Sequence, residues 1–334
     1  MKKIFAVAVV IAAAWAASGY KVLTKFKIGG TGSWDYVAVD SAARRIYASH
    51  QTEVDVVDAD TGKPVGKIEQ LHGVHGIAIA PDLGKGFITN GTSGSVTVFD
   101  LKTLQKTGEP AAGKGPDAIC YEPKTHRVFA VNHGGTDVTS FDAKTMEIVK
   151  NIPTGTAGEF CAVDGAGKVY VNLEDDSMVL EIDAAKSEVT RKTSLAPCEH
   201  PSGLSIDVKN KKLFPVCSNR MMAVVDIPAM KVIATPAIGP GTDGGGFDPG
   251  PGYAFSANGG DGTLTIVGMV NGKYDVIDNV PTVRGARTMT VDPTTHHVLL
   301  LAAEYGPAPE PKEGQKKQRP PILPDTFGVL VVGK

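Results

Sequence analysis

The sequence has little excess charge of either sign and only one long apolar run. Its 334 residues include 34 Lys and Arg against 36 Asp and Glu, a formal net charge of −2. Proteins that coat nucleic acid present a strongly basic surface, so no nucleic-acid partner is expected. The apolar run, from Ile4 to Ala14, is shorter than the roughly 20 residues that cross a bilayer as a helix.

Cysteine is scarce as well, with four residues in the whole chain. No Cys-x-x-Cys-His segment occurs, which excludes covalently attached c-type haem. No nucleophile elbow and no phosphate-binding loop is present, so no local sequence motif indicates which reaction the protein would catalyse. Helical periodicity is also weak along the chain, which points to strands rather than helices.

The apolar run has the features of an export signal. Lys2 and Lys3 precede it, and small residues around Ala14-Trp15-Ala16 follow it, as at a signal-peptidase site. Residues 1–18 are therefore predicted to be a secretory signal peptide, and the protein to be periplasmic or secreted. Loss of the two lysines takes the net charge from −2 to −4. The mature chain is expected to have no transmembrane segment.

The most informative feature of the remaining chain is a segment of about forty-two residues that recurs seven times. Each copy begins with a strand-like run that ends at an equivalent position: Asp40, Ala80, Glu122, Asp164, Asp207, Asp248 and Asp292. A third run in each copy ends at a turn residue, and these are Asp58, Asp100, Asp142, Asp183, Asp226, Gly268 and Gly333. Asp can start a turn by hydrogen bonding the backbone ahead of it, and Gly tolerates the positive φ of a turn.

Four short strands per copy predict an all-β, seven-bladed β-propeller with four-stranded antiparallel blades. In the first copy we expect strands at 34–40, 45–49, 53–58 and 65–71. The seventh copy supplies only three strands, and the segment 22–28 resembles the missing outer one. We therefore predict that the N-terminal strand completes the last blade and that residues 19–334 form one domain. Such closure leaves no exposed sheet edge at the junction.

A family resemblance becomes visible in the second strands, which read IYASH, GFITN, VFAVN, VYVNL, LFPVC and AFSAN. These resemble the YVTN-type β-propeller repeats of the YncE-like periplasmic proteins, over almost the whole mature chain. The resemblance implies the propeller fold and a periplasmic location, but no particular chemistry. The signature asparagine occurs at Asn90, Asn132 and Asn258, and it is replaced elsewhere by His50, Leu173, Cys217 and Ala302.

One insertion interrupts the last copy, at residues 305–326, and it is rich in proline, lysine and glutamine. This composition favours an extended, poorly packed loop. Two interpretations remain open, a solvated excursion and a lid or partner-binding arm over the central channel. A short basic cluster from Lys312 to Arg319 lies within the insertion.

Candidate site residues emerge from the position five residues before the end of each first strand. One polar residue occupies this position in every copy: Asp35, His75, Asp117, Glu159, Ser202, Asp243 and Arg287. Because first strands line a propeller channel, these seven ring residues are expected to surround one mouth of it. We predict that they bind a ligand there, together with His50 and His133 from neighbouring loops. His72, Glu174, His200, Arg284 and Glu304 are expected on the same face.

Three readings of this ring stay open. Polar residues at a water-filled mouth need no function. Alternatively, the mouth presents a binding site for a small ligand or a protein partner, in a monomeric, non-catalytic scaffold. Carboxylates and imidazoles can also hold a divalent metal, although no cofactor is required and no tight ligand spacing supports one. The remaining alternative is a lactonase-like or other hydrolase, with Glu159 or His75 as acid or base and Arg287 stabilising an oxyanion.

The four cysteines allow one specific pairing to be predicted. Cys198 ends a fourth strand and Cys217 ends the second strand of the next blade, on the same face of the ring. We predict a disulfide between them, which an oxidising compartment permits. Cys120 and Cys161 lie on first strands at offsets that differ by one, so they are expected to face opposite ways as buried thiols.

Overall fold

The computed structural model describes residues 18–309 and 320–334. The predicted signal peptide, except for Ser18, lies outside these residues, as does the basic cluster 312–319. Seven antiparallel sheets of four main strands form seven blades around a channel, so the predicted all-β propeller is confirmed. Among the described residues, no helix has the length and apolarity needed to cross a membrane.

Strand β1 (Lys21–Lys27) precedes the first blade. Blade 1 contains β2 (Val37–Asp40), β3 (Arg45–His50), β4 (Glu53–Asp58) and β5 (Pro64–Ile68). Blade 2 contains β6 (Val74–Ala80), β7 (Lys85–Asn90), β8 (Ser95–Asp100) and β9 (Lys106–Gly108), with a 3-10 turn at Pro81–Leu83. Blade 3 contains β10 (Pro116–Glu122), β11 (Arg127–Asn132), β12 (Asp137–Asp142) and β13 (Ile148–Pro153).

Blade 4 contains β14 (Gly158–Val163), β15 (Lys168–Leu173), β16 (Met178–Asp183) and β17 (Glu188–Ser194). Blade 5 contains β18 (Pro201–Asp207), β19 (Lys212–Cys217), the interrupted third strand β20 (Met221–Met222) and β21 (Val224–Asp226), and β22 (Lys231–Ala234). Blade 6 contains β23 (Thr242–Asp248), β24 (Tyr253–Asn258), β25 (Thr263–Val270) and β26 (Lys273–Pro281). Blade 7 contains β27 (Met289–Asp292), β28 (His297–Ala302) and β29 (Gly328–Gly333).

The ring closes as predicted, because β1 adds to the outside of blade 7. The strand order of this sheet is β1-β29-β28-β27, and the pairing runs from Lys21 opposite Gly333 to Lys27 opposite Gly328. Tyr20 and Phe26 pack into the adjoining cores, so the N-terminal segment contributes side chains as well as backbone. We call this junction the seam.

Turn chemistry accounts for the acidic residues that end the third strands. Asp58 Oδ1 accepts hydrogen bonds from the backbone N–H and the hydroxyl of Thr61, at 2.8 and 2.7 Å. Asp100 does the same with Thr103, at 2.7 and 2.9 Å. These side chains therefore hold the turn that leads into the outer strand.

Blade 6 departs from this pattern. The third strand does not end at Gly268 but continues to Val270, and Gly268 pairs with Asp275 in a long hairpin. Its turn is made by Asn271 and Gly272, both at positive φ (50° and 80°). An Asn-Gly pair is the preferred sequence for a tight hairpin turn with two such residues, so the expected turn at Gly268 was wrong. In blade 7, by contrast, the third strand does end at Gly333, which pairs with Lys21.

The signature asparagines have a structural role. Each sits at the end of a second strand and donates from Nδ2 to a threonine hydroxyl on the third strand of its own blade. The pairs are Asn90 with Thr97 (2.9 Å), Asn132 with Thr139 (2.9 Å) and Asn258 with Thr265 (2.8 Å). All six side chains are buried, so the bonds satisfy amide and hydroxyl groups that water cannot reach.

A disulfide joins Cys198 and Cys217, with 5.7 Å between their Cα atoms and both residues fully buried. It links the segment entering blade 5 to the second strand of that blade, 19 residues further along the chain. The bond therefore fixes the approach to β18, the strand that carries Ser202.

Replacing both cysteines, as C198A/C217A, is expected to lower the free energy of unfolding by about 3 kcal/mol, from the chain entropy that the cross-link removes from the unfolded state. Denaturant unfolding of wild type and variant measures this. A reducing agent should destabilise the wild type and leave the variant unchanged, which serves as the control. Four reactive thiols in unreduced, denatured wild-type protein would contradict the pairing.

The other two cysteines face each other, contrary to the expectation that they are turned apart. Cys120 (β10) and Cys161 (β14) belong to one buried cluster between blades 3 and 4. Their offsets do place them on opposite faces of their own sheets, but adjacent blades stack face to face, so those are the two faces that meet. Burial, followed by the hydrogen bond to Cys120, raises the pKa of the Cys161 thiol well above its ordinary value.

The described ends of the 305–326 insertion make specific contacts with the rest of the domain, although most of their residues are exposed. Tyr305 forms a β-bridge with Ile322, and its ring lies 6.3 Å from that of Trp34. Asp325 accepts a hydrogen bond from Gly30 N–H (3.1 Å), and its own N–H donates to the Gly30 carbonyl (2.8 Å). The aromatic contact and these hydrogen bonds hold both ends of the insertion against the segment after β1.

Candidate functional site at the channel mouth

The ring residues of five blades sit in β-bulges. Where the first strand pairs with the second, the register shifts between Val74 and Ile77, Pro116 and Ile119, Gly158 and Cys161, Pro201 and Leu204, and Thr242 and Gly245. The ring residue is the first residue inside each shift, and in blades 1 and 7 it precedes the strand. A bulge turns a side chain away from the regular alternation of a strand, and bulges are frequent beside functional sites.

Glycines next to the ring residues let neighbouring first strands approach each other closely. A Cβ on Gly76 would lie 2.6 Å from the Asp117 carbonyl oxygen of the next blade. One on Gly203 would lie 2.7 Å from the Asp243 carbonyl oxygen and 2.8 Å from the Gly244 carbonyl carbon. Only glycine fits at such contacts, and the close approach brings ring residues of adjacent blades within reach of one another.

On one side of the mouth, carboxylates and imidazoles form a continuous chain across four blades. His75 Nδ1 lies 2.6 Å from Asp35 Oδ2 and 3.3 Å from Asp117 Oδ1. His133, from the loop between β11 and β12, places Nδ1 2.8 Å from Glu159 Oε2. Asp117 belongs to both groups, because its carboxylate also lies within 4.8 Å of the His133 and Glu159 donor atoms.

The opposite side of the mouth is balanced in charge. Arg287 Nε donates to Asp243 Oδ2 at 2.6 Å, which neutralises both side chains. The Ser202 hydroxyl is turned toward the backbone and donates to the Thr242 carbonyl at 3.4 Å. The carboxylates that have no arginine partner are therefore Asp35, Asp117 and Glu159, and their neighbouring cationic groups are the imidazoles of His75 and His133.

The protonation equilibria reflect this arrangement. Burial, with the charges of Asp35 and Glu159, raises the pKa of Asp117 well above its ordinary value. The hydrogen bond to Asp35 raises the pKa of His75, and the close contact with the Glu159 carboxylate raises the pKa of His133 to about 9. The carboxylates thus favour the charged form of the two imidazoles beside them.

Two carboxylate oxygens at the mouth lack a well-directed hydrogen bond. Asp117 Oδ1 and Glu159 Oε2 are buried, and neither accepts a hydrogen bond of acceptable geometry from the described residues, despite the nearby imidazoles. Such buried acceptors cost about 1–3 kcal/mol each when nothing satisfies them. They are oriented for a donor or a cation that is not part of the polypeptide.

Two aromatic rings close the channel beneath the carboxylates. Tyr36 and Phe160 meet across it with ring centroids 5.3 Å apart, and the Tyr36 hydroxyl donates to the Glu159 carbonyl at 3.4 Å. Together with Ile77, Ile119 and Met289 they line a cavity of about 440 Å³ in the channel. Sequence reasoning missed this floor, although an aromatic residue directly follows the ring residue in the first and fourth copies.

His50 does not join the ring. Its side chain is buried against Phe327, with ring centroids 4.5 Å apart, and Nδ1 lies 2.9 Å from Asp55 Oδ2. Lys67 Nζ lies 2.6 Å from Glu53 Oε1 and 3.1 Å from Asp55 Oδ1, so a lysine already supplies positive charge to this cluster. Its loop does leave β3 at the mouth end, but the imidazole turns into the interface with blade 7.

The three candidate catalytic residues are paired with three different partners. Glu159 pairs with His133, His75 with Asp35, and Arg287 with Asp243. No ion pair among the described side chains joins two of the three. The mouth therefore assembles carboxylate–imidazole pairs, and not one acid–base–arginine group.

Comparison with known proteins identifies the fold. No protein-family model matches the chain, and no curated protein matches it. Among solved structures, the chain is similar to Kuenenia stuttgartiensis hydrazine synthase, with a TM-score of 0.71 and 18% identity over 85% of this chain and 95% of that one. It is also similar to U3-55K, with a TM-score of 0.74 and 10% identity over 93% of this chain and 98% of that one. At these identities the likeness establishes the seven-bladed β-propeller fold alone.

Proposed function

We propose that the chain is an exported, periplasmic binding protein whose channel mouth binds a small cationic ligand. The observation that carries this proposal is the convergence of the Asp35, Asp117 and Glu159 carboxylates on one side of the mouth, with Asp117 partly buried. Three carboxylates at such a place repel one another and lose hydration. A bound cation offsets both costs, and the aromatic floor gives the ligand a fixed depth.

Export and family membership belong to the same proposal. Lys2, Lys3 and the apolar run after them support a signal peptide. The Cys198–Cys217 disulfide supports export as well, because disulfides form and persist in oxidising compartments. Membership of the YVTN-type, YncE-like family is supported by the repeated second-strand signature, with its asparagine at equivalent positions in three blades. We expect the protein to act as a monomer.

Binding has more support than hydrolysis. A hydrolase of the lactonase type needs an acid or base and a cation beside one reacting group. The charged groups of this mouth instead pair with one another, as His75 does with Asp35 and Arg287 with Asp243. An arrangement of this kind suits capture of a cation, which exchanges with the protons of the pairs.

The proposal is tested by thermal unfolding with 1,4-diaminobutane and tetramethylammonium, and with neutral butane-1,4-diol for comparison. At least one cation is expected to raise Tm, because a ligand at 100 times its Kd adds about 2.7 kcal/mol to stability. The variant D35N/D117N/E159Q should lose this shift. The matched control E147Q/E188Q/D275N removes three exposed charges and should keep it. Equal shifts in the mouth variant and wild type would refute the proposal, as would no shift with either organic cation or with Zn²⁺.

A further inference from the structure

We propose that the mouth binds two divalent transition-metal ions, at two donor sets that share Asp117. This inference rests on the proposed function and names its ligand. The first set is Asp35, His75 and Asp117, and the second is Asp117, His133 and Glu159. Each set brings two carboxylates and one imidazole together, and Asp117 bridges the two.

The donor atoms are close to the spacing that a metal requires. Within each set they all lie within 4.8 Å of one another. Ligand atoms at about 2.0–2.2 Å from a tetrahedral ion lie about 3.3–3.6 Å apart. His75 Nδ1 is 2.6 and 3.3 Å from its two carboxylates, and His133 Nδ1 is 2.8 Å from Glu159. Small side-chain rotations are enough to open these contacts around an ion that replaces the proton between imidazole and carboxylate.

Charge and hydrogen bonding support the same arrangement. Three carboxylates converge with no lysine or arginine among the two sets, since Arg287 is held by Asp243. Asp117 Oδ1 and Glu159 Oε2, one oxygen from the shared residue and one from the second set, are the buried acceptors without a good donor. A metal ion satisfies such an oxygen directly and balances its charge.

The cluster at His50 shows what distinguishes the mouth. His50, Glu53 and Asp55 also lie within 4.8 Å of one another. There, however, Lys67 contacts both carboxylates, at 2.6 and 3.1 Å, and takes the position of a counter-ion. The two mouth sets contain the same types of donor without such a lysine, so the metal is assigned to them and not to His50.

The donor types indicate the class of metal. Imidazole nitrogen with carboxylate oxygen suits Zn²⁺ and its divalent neighbours, whereas Ca²⁺ selects oxygen ligands alone. Two ions bridged by one carboxylate are also an arrangement found in proteins, with the ions about 3.5–4 Å apart. We therefore expect Zn²⁺ to bind and Ca²⁺ not to compete with it.

The test is metal stoichiometry of the exported protein, stripped with a chelator and dialysed against Zn²⁺, with bound metal and affinity measured by mass spectrometry and calorimetry. Wild type should bind two ions. His75→Asn and His133→Asn should each bind one, at the set left intact. Asp117→Asn should weaken both sites by more than about 100-fold, beyond the 10–100-fold cost of losing a residue that only supports a ligand.

His126→Asn is the matched control. Its imidazole also lies beside a carboxylate, 3.3 Å from Asp82, but in the turn after β10, at the end of the blade away from the mouth. Asparagine tolerates its positive φ of 50°, so this variant should bind two ions like wild type. One ion in wild type, or loss of all binding in His75→Asn, would overturn the shared-ligand arrangement. Absence of Zn²⁺ binding with retained binding of an organic cation would overturn the metal and leave the proposed function standing.

Discussion

A chain that lacks residues 1–28 is expected to unfold about 10 °C below one that lacks only residues 1–17, and to self-associate. The longer deletion removes β1, whose pairing with β29 runs from Lys21 to Lys27. Losing about five ladder hydrogen bonds costs roughly 5 kcal/mol at about 1 kcal/mol each. For a domain of 150–250 residues 1 kcal/mol corresponds to about 2–4 °C in Tm, and a longer chain lies at or below the lower end of this range, which gives about 10 °C for 5 kcal/mol. The exposed edge of β29 then offers a pairing surface to other chains.

The two deletions are compared behind the same export sequence, by thermal unfolding and by light scattering. The shorter deletion serves as the control, because it keeps β1 and Tyr20. A synthetic peptide of residues 19–28, added during refolding, should restore part of the lost Tm by strand addition. Equal Tm values with both proteins monomeric would show that the seam contributes little.

The second large effect is expected from Gly203→Ala. The added Cβ meets only backbone of the next blade, 2.7 Å from the Asp243 carbonyl oxygen and 2.8 Å from the Gly244 carbonyl carbon. Backbone cannot rotate away as a side chain can, so β18 and β23 must separate. Overpacking of this kind costs about 3 kcal/mol.

Gly108→Ala is the control for this substitution. Its Cβ would lie 3.8 Å from the nearest side-chain atom, an ordinary contact, and the site is exposed on β9. We expect its free energy of unfolding to stay within about 0.5 kcal/mol of wild type. Denaturant unfolding of both variants decides the matter: similar values would mean that the close approach of the first strands is not required.

The repeat period was enough to predict the blades, the seam and the positions of the ring residues. Equivalent residues of equivalent copies must occupy equivalent places, so Asp35, His75 and Asp117 had to meet at one end of the channel. The period could not reveal the bulges, because a bulge depends on how two strands pair and not on the residues of either one. The period also predicted that His50 lies at the mouth. Its backbone does lie there, but its side chain turns away into the interface with blade 7.

The cysteines show a related limit. Strand alternation correctly put Cys120 and Cys161 on opposite faces of their sheets, and the error arose in the step from sheet to ring. Alternation describes one sheet, whereas the contact depends on how two sheets stack. In blade 6, by contrast, the Asn271-Gly272 pair itself predicts a tight turn, whereas the repeat pattern predicted the end of the strand at Gly268.

The seam has a consequence for how the molecule is made. Lys21 and Gly333 pair across almost the whole chain, so closing the ring costs about 2 kcal/mol more loop entropy than closing one forty-two-residue copy. Each inner blade can form from neighbouring hairpins, but β1 can pair only after β29 has been made. A chain cut anywhere before Gly328 keeps both edges of the junction open. A chain that lacks β29 is therefore expected to be cleaved by proteases faster than one that contains it.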